Sequence, residues 1–202
     1  VNDITEYLAY ATSAMRNASN GKDILKFILK ETKIKIDIIS GEKESKIVAS
    51  NDITEYIGKS PNFCFIDVGG GSTEVVIYKN NKLFKSKSFD IGGVRLLNDL
   101  VTESSWLEFK SWLLENASEI KKIKLIGIGG NINKIFKLSG VKLGKAMSKS
   151  KFKSTLQKLK IMSTKQMLLE LKLNPDRIDI IVPAGNIYYF LIISVCHMII
   201  IV

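Results

Sequence analysis

An α/β protein built as two lobes is predicted by three observations on this 202-residue chain. Apolar runs suited to strands alternate with segments whose apolar residues recur at the helical period. A glycine-rich loop joins two apolar runs, residues 63–68 and 75–78, so a strand follows the glycines where a P-loop or Rossmann turn would place a helix. Gly58, Lys59, Ser60 and Pro61 then break the chain between a shorter first portion and the half that carries the loop. Hydrophobic residues make up 46% of the sequence, ample for a packed core. The boundary falls at that break, giving lobe I over residues 1–58 and lobe II over residues 59–202.

Each element has a local reason. Asn20 and Asp23 open a helix whose Ile24, Phe27, Ile28 and Glu31 keep the 3.6 period. Residues 33–40 alternate Ile34, Ile36 and Ile38 with polar neighbours, the pattern of a half-buried strand. A helix over residues 44–57 crosses toward lobe II. That lobe opens with strands over residues 63–68, 74–78 and 82–89, an antiparallel meander whose second turn is Asn80-Asn81, two residues that tolerate positive φ. Ser105 and Glu108 form a capping box ahead of Trp106, Phe109, Leu113, Ala117 and Ile120, which share one helix face. Residues 124–128 supply the next strand, and Gly129-Gly130 turns it into a helix over residues 131–138 whose first amides face the cleft. Ser163 and Gln166 start another helix, ended at Asn174-Pro175.

The last sixteen residues, 187–202, are apolar but short of the roughly 20 needed to span a bilayer, and they contain Ser194 and His197. A buried helix running into a central strand at 198–202 fits better, with His197 at the helix end and not a ligand. No membrane partner is expected. Cys64 and Cys196 sit in apolar runs without metal spacing, so both read as free buried thiols in a reducing compartment. No secretory leader is visible at the start of the chain. The hexapeptide Asn-Asp-Ile-Thr-Glu-Tyr occurs at residues 2–7 and 51–56, but its flanks differ and no structural repeat follows.

The net charge of +10 favours an anionic partner. Nucleic acid is set aside, because Lys121-Lys122 and residues 145–160 hold Phe152 as their sole ring and offer no stacking platform. Phosphate is favoured by the loop itself. Gly69, Gly70 and Gly71 let backbone N–H groups converge on an anion, and Ser72 and Thr73 add hydroxyl donors. Asp67 and Glu74 flank the loop with the hard oxygen ligands that Mg²⁺ takes beside phosphates. A plain β-turn needs no acid on each side, and burying one costs several kcal/mol unless it is compensated.

Four further stretches lie in order around this loop: residues 11–20 (Ala-Thr-Ser-Ala-Met-Arg-Asn-Ala-Ser-Asn), 38–44 (Ile-Ile-Ser-Gly-Glu-Lys-Glu), 89–97 (Phe-Asp-Ile-Gly-Gly-Val-Arg-Leu-Leu) and 126–131 (Ile-Gly-Ile-Gly-Gly-Asn). In this order and spacing the chain resembles the exopolyphosphatase/guanosine pentaphosphate phosphatase (Ppx/GppA) family over about residues 5–200. The resemblance implies the actin-like ATPase (ribonuclease H-like) fold, with a partial first lobe and a nearly complete second one. It implies a cytoplasmic, Mg²⁺-dependent phosphohydrolase, a possible homodimer, releasing terminal phosphate from polyphosphate or guanosine pentaphosphate.

The same resemblance implies roles for residues. Glu44 matches the catalytic glutamate that orients water, with Glu42 the competing choice and Lys43 standing where a second acid is common. Arg16 matches a phosphate-contacting arginine, whose planar fork suits phosphate oxygens. Gly69, Gly70, Gly71, Ser72 and Thr73 would hold phosphate, Asp67 and Glu74 the metal, and Arg95 a structural place. The family's first phosphate loop, of Asp-x-Gly type, has no counterpart here, nor has a closing Gly-x-x-Asp-Gly stretch, so a truncated chain of poor activity is expected. A phosphate- or nucleotide-binding module without turnover, and a phosphotransferase of the same superfold, remain alternatives.

Overall fold

The computed structural model describes residues 6–49, 61–117, 120, 123–142, 144–195 and 198–201. Outside them lie the end of the 44–57 helix, the break at Gly58, Lys59 and Ser60, the second hexapeptide copy, most of the first, Lys121-Lys122, Cys196 and His197. The chain begins with a two-stranded parallel sheet of β1 (Ala9–Ala11) and β2 (Ile36–Ile38), Ala9 standing opposite Ile36. Between them run the short helix α1 (Ser13–Asn17) and α2 (Gly21–Thr32). Asn20 precedes α2 without bonding it through its side chain, and Lys33 at a left-handed φ of 62° ends it. That turn confines the strand expected over residues 33–40 to β2, leaving Ile34 exposed. Helix α3 follows over Gly41–Ala49, three residues earlier than expected, with Ser40 Oγ accepting from the Lys43 amide.

A six-stranded sheet forms the larger part. The meander of β3 (Phe63–Val68), β4 (Thr73–Lys79) and β5 (Lys82–Phe89) is as read from the sequence, and Asn80 and Asn81 both take positive φ at its second turn. After helix α4 (Gly93–Leu97) and helix α5 (Glu103–Ala117), β6 (Lys124–Ile128) joins β3 in parallel. Helix α6 (Gly130–Ser139), β7 (Met147–Ser148), helix α7 (Lys149–Ile161), helix α8 (Thr164–Leu169), helix α9 (Pro175–Val195) and β8 (Met198–Ile201) complete the chain. Across the sheet the order is β5-β4-β3-β6-β8-β7, with β3, β6 and β8 parallel.

Alternation along the strands sorts the core. Cys64, Ile66, Val75, Ile77 and Leu125 point to one face, where Phe109 and Leu113 of α5, Ile132 and Ile135 of α6, Phe152 of α7 and Ile181 and Tyr188 of α9 bury them. Phe63, Phe65, Val76 and Ile126 point to the other, toward Val48 of α3. Both faces being covered, β3 reads as a nearly continuous apolar run.

Two further helix readings need correction. Thr102, not Ser105, caps α5, its hydroxyl accepting from the Ser105 amide at 3.2 Å, so the helix starts a few residues earlier. The helix opened by the Ser163 capping box ends at Leu169 instead of Asn174, and Lys172 turns the chain at a φ of 50°. Helix α7, unassigned from sequence, hides Phe152, Leu156 and Leu159 among lysines that face water. Helix α9 begins at Pro175 and is, by length and composition, apolar enough to cross a membrane. Its Ile181, Ala184, Ile187, Tyr188 and Leu191 are instead packed into the core.

Candidate active site

The C-terminal ends of β1 and β2 lead into α1 and α3, which meet the loop between β3 and β4 and the strands β4 and β5 of the large sheet, and these places deliver the polar groups. From the small sheet, α1 and α3 leave side by side, and Arg16 joins them. Its Nη1 donates to the Ile39 carbonyl at 2.8 Å and to Glu44 Oε2 at 3.2 Å. This pair is mostly sheltered, with side chains 23% and 15% exposed. Glu42, by contrast, points to solvent and pairs with Lys46 one turn on, the ordinary i,i+4 arrangement of a helix surface.

From the large sheet comes a row set by register. Ser88 of β5 stands opposite Glu74 of β4, Glu74 opposite Asp67 of β3, and Asp67 opposite Ile128 of β6. Alternation puts Asp67 and Glu74 on the face that α3 covers, hence on the side of Glu44. Directly opposite cross-strand residues hold their Cβ atoms about 4.5–5.5 Å apart, so the two carboxyl groups are neighbours. Ser88 Oγ donates to Glu74 Oε1 at 2.8 Å.

The electrostatics follow from that crowding. Burial first, then the Glu44 charge, raises the Asp67 pKa to about 6. Burial raises Glu74 to about 7, with Glu44 and Asp67 adding repulsion and hydrogen bonds from Ser72 and Ser88 opposing the rise. Three carboxyl groups thus share one field, and among the described residues Glu44, through Arg16, is the one of them paired with a cation. Among the described residues no group of three His, Cys, Asp or Glu side chains is placed to enclose a metal ion. Two carboxyl groups beside a phosphate loop nevertheless fit Mg²⁺, which keeps waters and takes one or two carboxylates plus phosphate oxygens.

The loop between β3 and β4 is held from behind. Gly69 N–H donates to the Ser72 carbonyl at 2.9 Å, Val94 N–H to the Gly70 carbonyl at 2.9 Å, and Arg95 Nε to the Gly71 carbonyl at 2.7 Å. Thr73 is committed too, its hydroxyl donating to the Ile91 carbonyl. Left without an acceptor among the described residues are the amides of Gly70, Gly71 and Ser72. The sequence places Gly69 among these donors, but its amide is spent inside the loop on Ser72. None of the three glycines takes a left-handed φ. Close approach is the reason for glycine at Gly71, where an added Cβ would overlap Ser13 Oγ and lie 2.9 Å from Ser13 Cβ.

Beside the loop, Gly129 does need positive φ, at 102°, and a Cβ there would sit 3.0 Å from Asp67 Oδ1. Past this turn opens a pocket of about 360 Å³ lined by Asn133, Lys134 and Lys137 of α6 and by Lys172, Asn174 and Arg177. None of its four cations pairs with an acid among the described residues.

The structure therefore brings together Arg16, Glu44, Asp67, Glu74 and the 69–73 loop from the two sheets. Thr73 and Gly69 serve the loop's own shape. Sequence reasoning passed over Ser88, Ser13 and Tyr188. Ser88 was legible as the position of β5 that faces Glu74. Tyr188 gave no signal inside its apolar helix, yet its hydroxyl lies 2.7 Å from the Ile128 carbonyl and 3.2 Å from that of Ile66, and accepts from the Val68 amide at 3.3 Å. It ties β3 to β6 on either side of Asp67.

Residues 3–195 match the Ppx/GppA phosphatase family. A bifunctional 3-dehydroquinate synthase/phosphatase of Fusobacterium nucleatum is 34% identical over 137 residues, 61% of this chain and 21% of that protein. Exopolyphosphatase 1 of Mycobacterium tuberculosis is 32% identical over 94 residues, 46% of this chain and 27% of that protein. The matched segments thus span about a quarter of these curated relatives. An exopolyphosphatase structure from Cytophaga hutchinsonii superposes with a TM-score of 0.75 at 22% identity, covering 96% of this chain and 70% of that one. The fold is that of the exopolyphosphatase structure, and the chain belongs to the Ppx/GppA phosphatase family.

Proposed function

We propose that the chain carries the phosphoanhydride-hydrolysing centre of a cytoplasmic phosphatase that removes terminal phosphate from inorganic polyphosphate, with guanosine pentaphosphate as a second substrate. One observation supports this above the rest: Glu44 projects from the small sheet toward the paired Asp67 and Glu74, beside the free amides of Gly70, Gly71 and Ser72. The terminal phosphoryl group rests on those amides and on Arg16. Glu44 orients a water molecule and takes its proton as the water oxygen bonds to phosphorus and the bridging P–O bond breaks. The remaining phosphates leave as the shortened anion. Asp67 and Glu74 would hold Mg²⁺, which when bound neutralises charge on the phosphate oxygens.

The pocket of Lys134, Lys137, Lys172 and Arg177 supports a substrate that continues beyond its terminal phosphate. Its volume falls in the range of small-molecule sites, enough for further phosphates or for a nucleoside. Release of inorganic phosphate from both substrates, with Mg²⁺ and with chelator, tests the reading. Turnover that needs Mg²⁺ and is lost in Asp67→Asn supports it. Tight binding without phosphate release in the full-length protein would leave a binding module in its place. A homodimer is part of the proposal, measured by sedimentation.

A further inference from the structure

Ser13 is the first residue of α1 and only 3% exposed, and its Oγ is a buried side-chain polar atom without a hydrogen-bond partner among the described residues. The other buried serine and threonine hydroxyls among the described residues are engaged. Ser45 donates to the Glu42 carbonyl, Ser139 to that of Phe136, Thr155 to that of Lys151, Thr73 to that of Ile91, and Ser72 bonds Glu74. A buried hydroxyl left unpaired is costly, and an alanine here would avoid the cost. The orphan also sits at a particular place. It packs from the small sheet's side against Gly71, in the middle of the loop whose next amides are free, and Gly71 is the residue whose missing Cβ makes room for it.

We propose that Ser13 is a phosphate ligand: its hydroxyl donates to an oxygen of the phosphoryl group held on the Gly70–Ser72 amides, closing the cradle from the opposite lobe. This rests on reading the 69–73 loop as the phosphate site. A hydroxyl rotates its hydrogen freely about Cβ–Oγ, so it can serve the anion without moving the backbone. The partner missing in the free protein is then supplied by the substrate. Ser13 acts together with Arg16, three residues on in the same helix, so that α1 offers one neutral and one charged donor to the anion.

Titration calorimetry with sodium tripolyphosphate, alongside melting of the free protein, decides it. Ser13→Ala is expected to weaken tripolyphosphate binding roughly 10–100-fold, the worth of a hydrogen bond to a charged group, while the free protein melts at the same or a higher temperature. A structural hydroxyl would do the reverse, lowering the melting temperature and sparing affinity, and that result overturns the proposal. Should both fall, Ser13→Cys separates the causes, since it keeps the volume and is a weak donor. Melting restored without affinity supports the assignment; both restored defeats it. Arg16→Gln isolates the underlying reading. If the wild type binds no tripolyphosphate, both readings fall. If it binds and Arg16→Gln weakens it while Ser13→Ala does not, only the role of Ser13 is lost.

Discussion

Asp67 and Glu74 are adjacent on one sheet face because antiparallel register makes them so, and Glu44 reaches the same space from α3, which follows the small sheet. Burial, with repulsion from the Glu44 charge as a secondary cause, makes Asp67 and Glu74 hold their protons tightly. With folded pKa values of about 6 and about 7, above ordinary carboxyl values, their stabilisation of the fold is complete at low pH and is lost as pH rises through 6 and 7. The loss is at most about 3 kcal/mol for each group at 1.36 kcal/mol per pKa unit. Thermal melting of the metal-free protein is expected to fall between about pH 4 and pH 7, and millimolar Mg²⁺ to restore it above pH 7 but not below pH 4. A flat profile would mean the two carboxyl groups are solvated. Glu44 and Glu42, two residues apart, should then differ sharply. Glu44→Gln is expected to lower kcat by about 10²–10⁴-fold with KM nearly unchanged, as for a positioned base, whereas Glu42→Gln, removing an exposed pair with Lys46, should leave both constants alone. Glu44 was legible only through its resemblance in register. Its pairing with Arg16 depends on two helices whose spacing no local pattern encodes.

At the level of elements, α9 does more than fill the core. Tyr188 is fully buried, and its hydroxyl joins backbone groups of β3 and β6 at the end where Asp67 projects. Tyr188→Phe leaves the Val68 amide without this acceptor and removes the one hydroxyl proton that the Ile66 and Ile128 carbonyls share, a cost of about 1–3 kcal/mol. For a chain of this size that corresponds to a drop of roughly 2–10 °C in Tm. Faster hydrogen exchange at Val68 should accompany it, and unchanged exchange would show that the strand end is held without the hydroxyl. Elements whose signals are local were readable in advance. The β3–β4–β5 meander follows from apolar runs and an Asn-Asn turn, and the α8 start follows from Ser163 and Gln166. Where the deciding signal lies elsewhere the reading slipped. Lys33 at positive φ shortened β2, Thr102 capped α5 ahead of Ser105, and the lysines of α7 masked its apolar positions.

Over the whole molecule, charge is what carries a long polyanion, and it is unevenly useful. Most lysines solvate the surface, as those of α7 do, but the four cations past Gly129 line a concavity and have no acid beside them among the described residues. Cations with their own counterions in water gain little from another surface pair. A cleft of one sign focuses the field and concentrates a polyanion. Lys134 and Lys137 lie three residues apart on α6 and are not part of the row of Ser88, Glu74 and Asp67, so they can be altered without removing a group of that row. Lys134 also donates to the Leu171 carbonyl at 2.7 Å, which helps fix the 170–174 turn. Lys137→Glu is therefore the cleaner variant. Reversing this one charge is expected to weaken binding of long-chain polyphosphate about 5–50-fold at low salt while changing inorganic phosphate affinity less than twofold. The gap should shrink as ionic strength rises and the Debye length contracts to about 8 Å at physiological salt. Equal weakening for inorganic phosphate and polyphosphate would show that the pocket reports only the overall field. No change for either would remove it from the substrate's path, and the chain beyond the terminal phosphate would have to leave the cleft by another side.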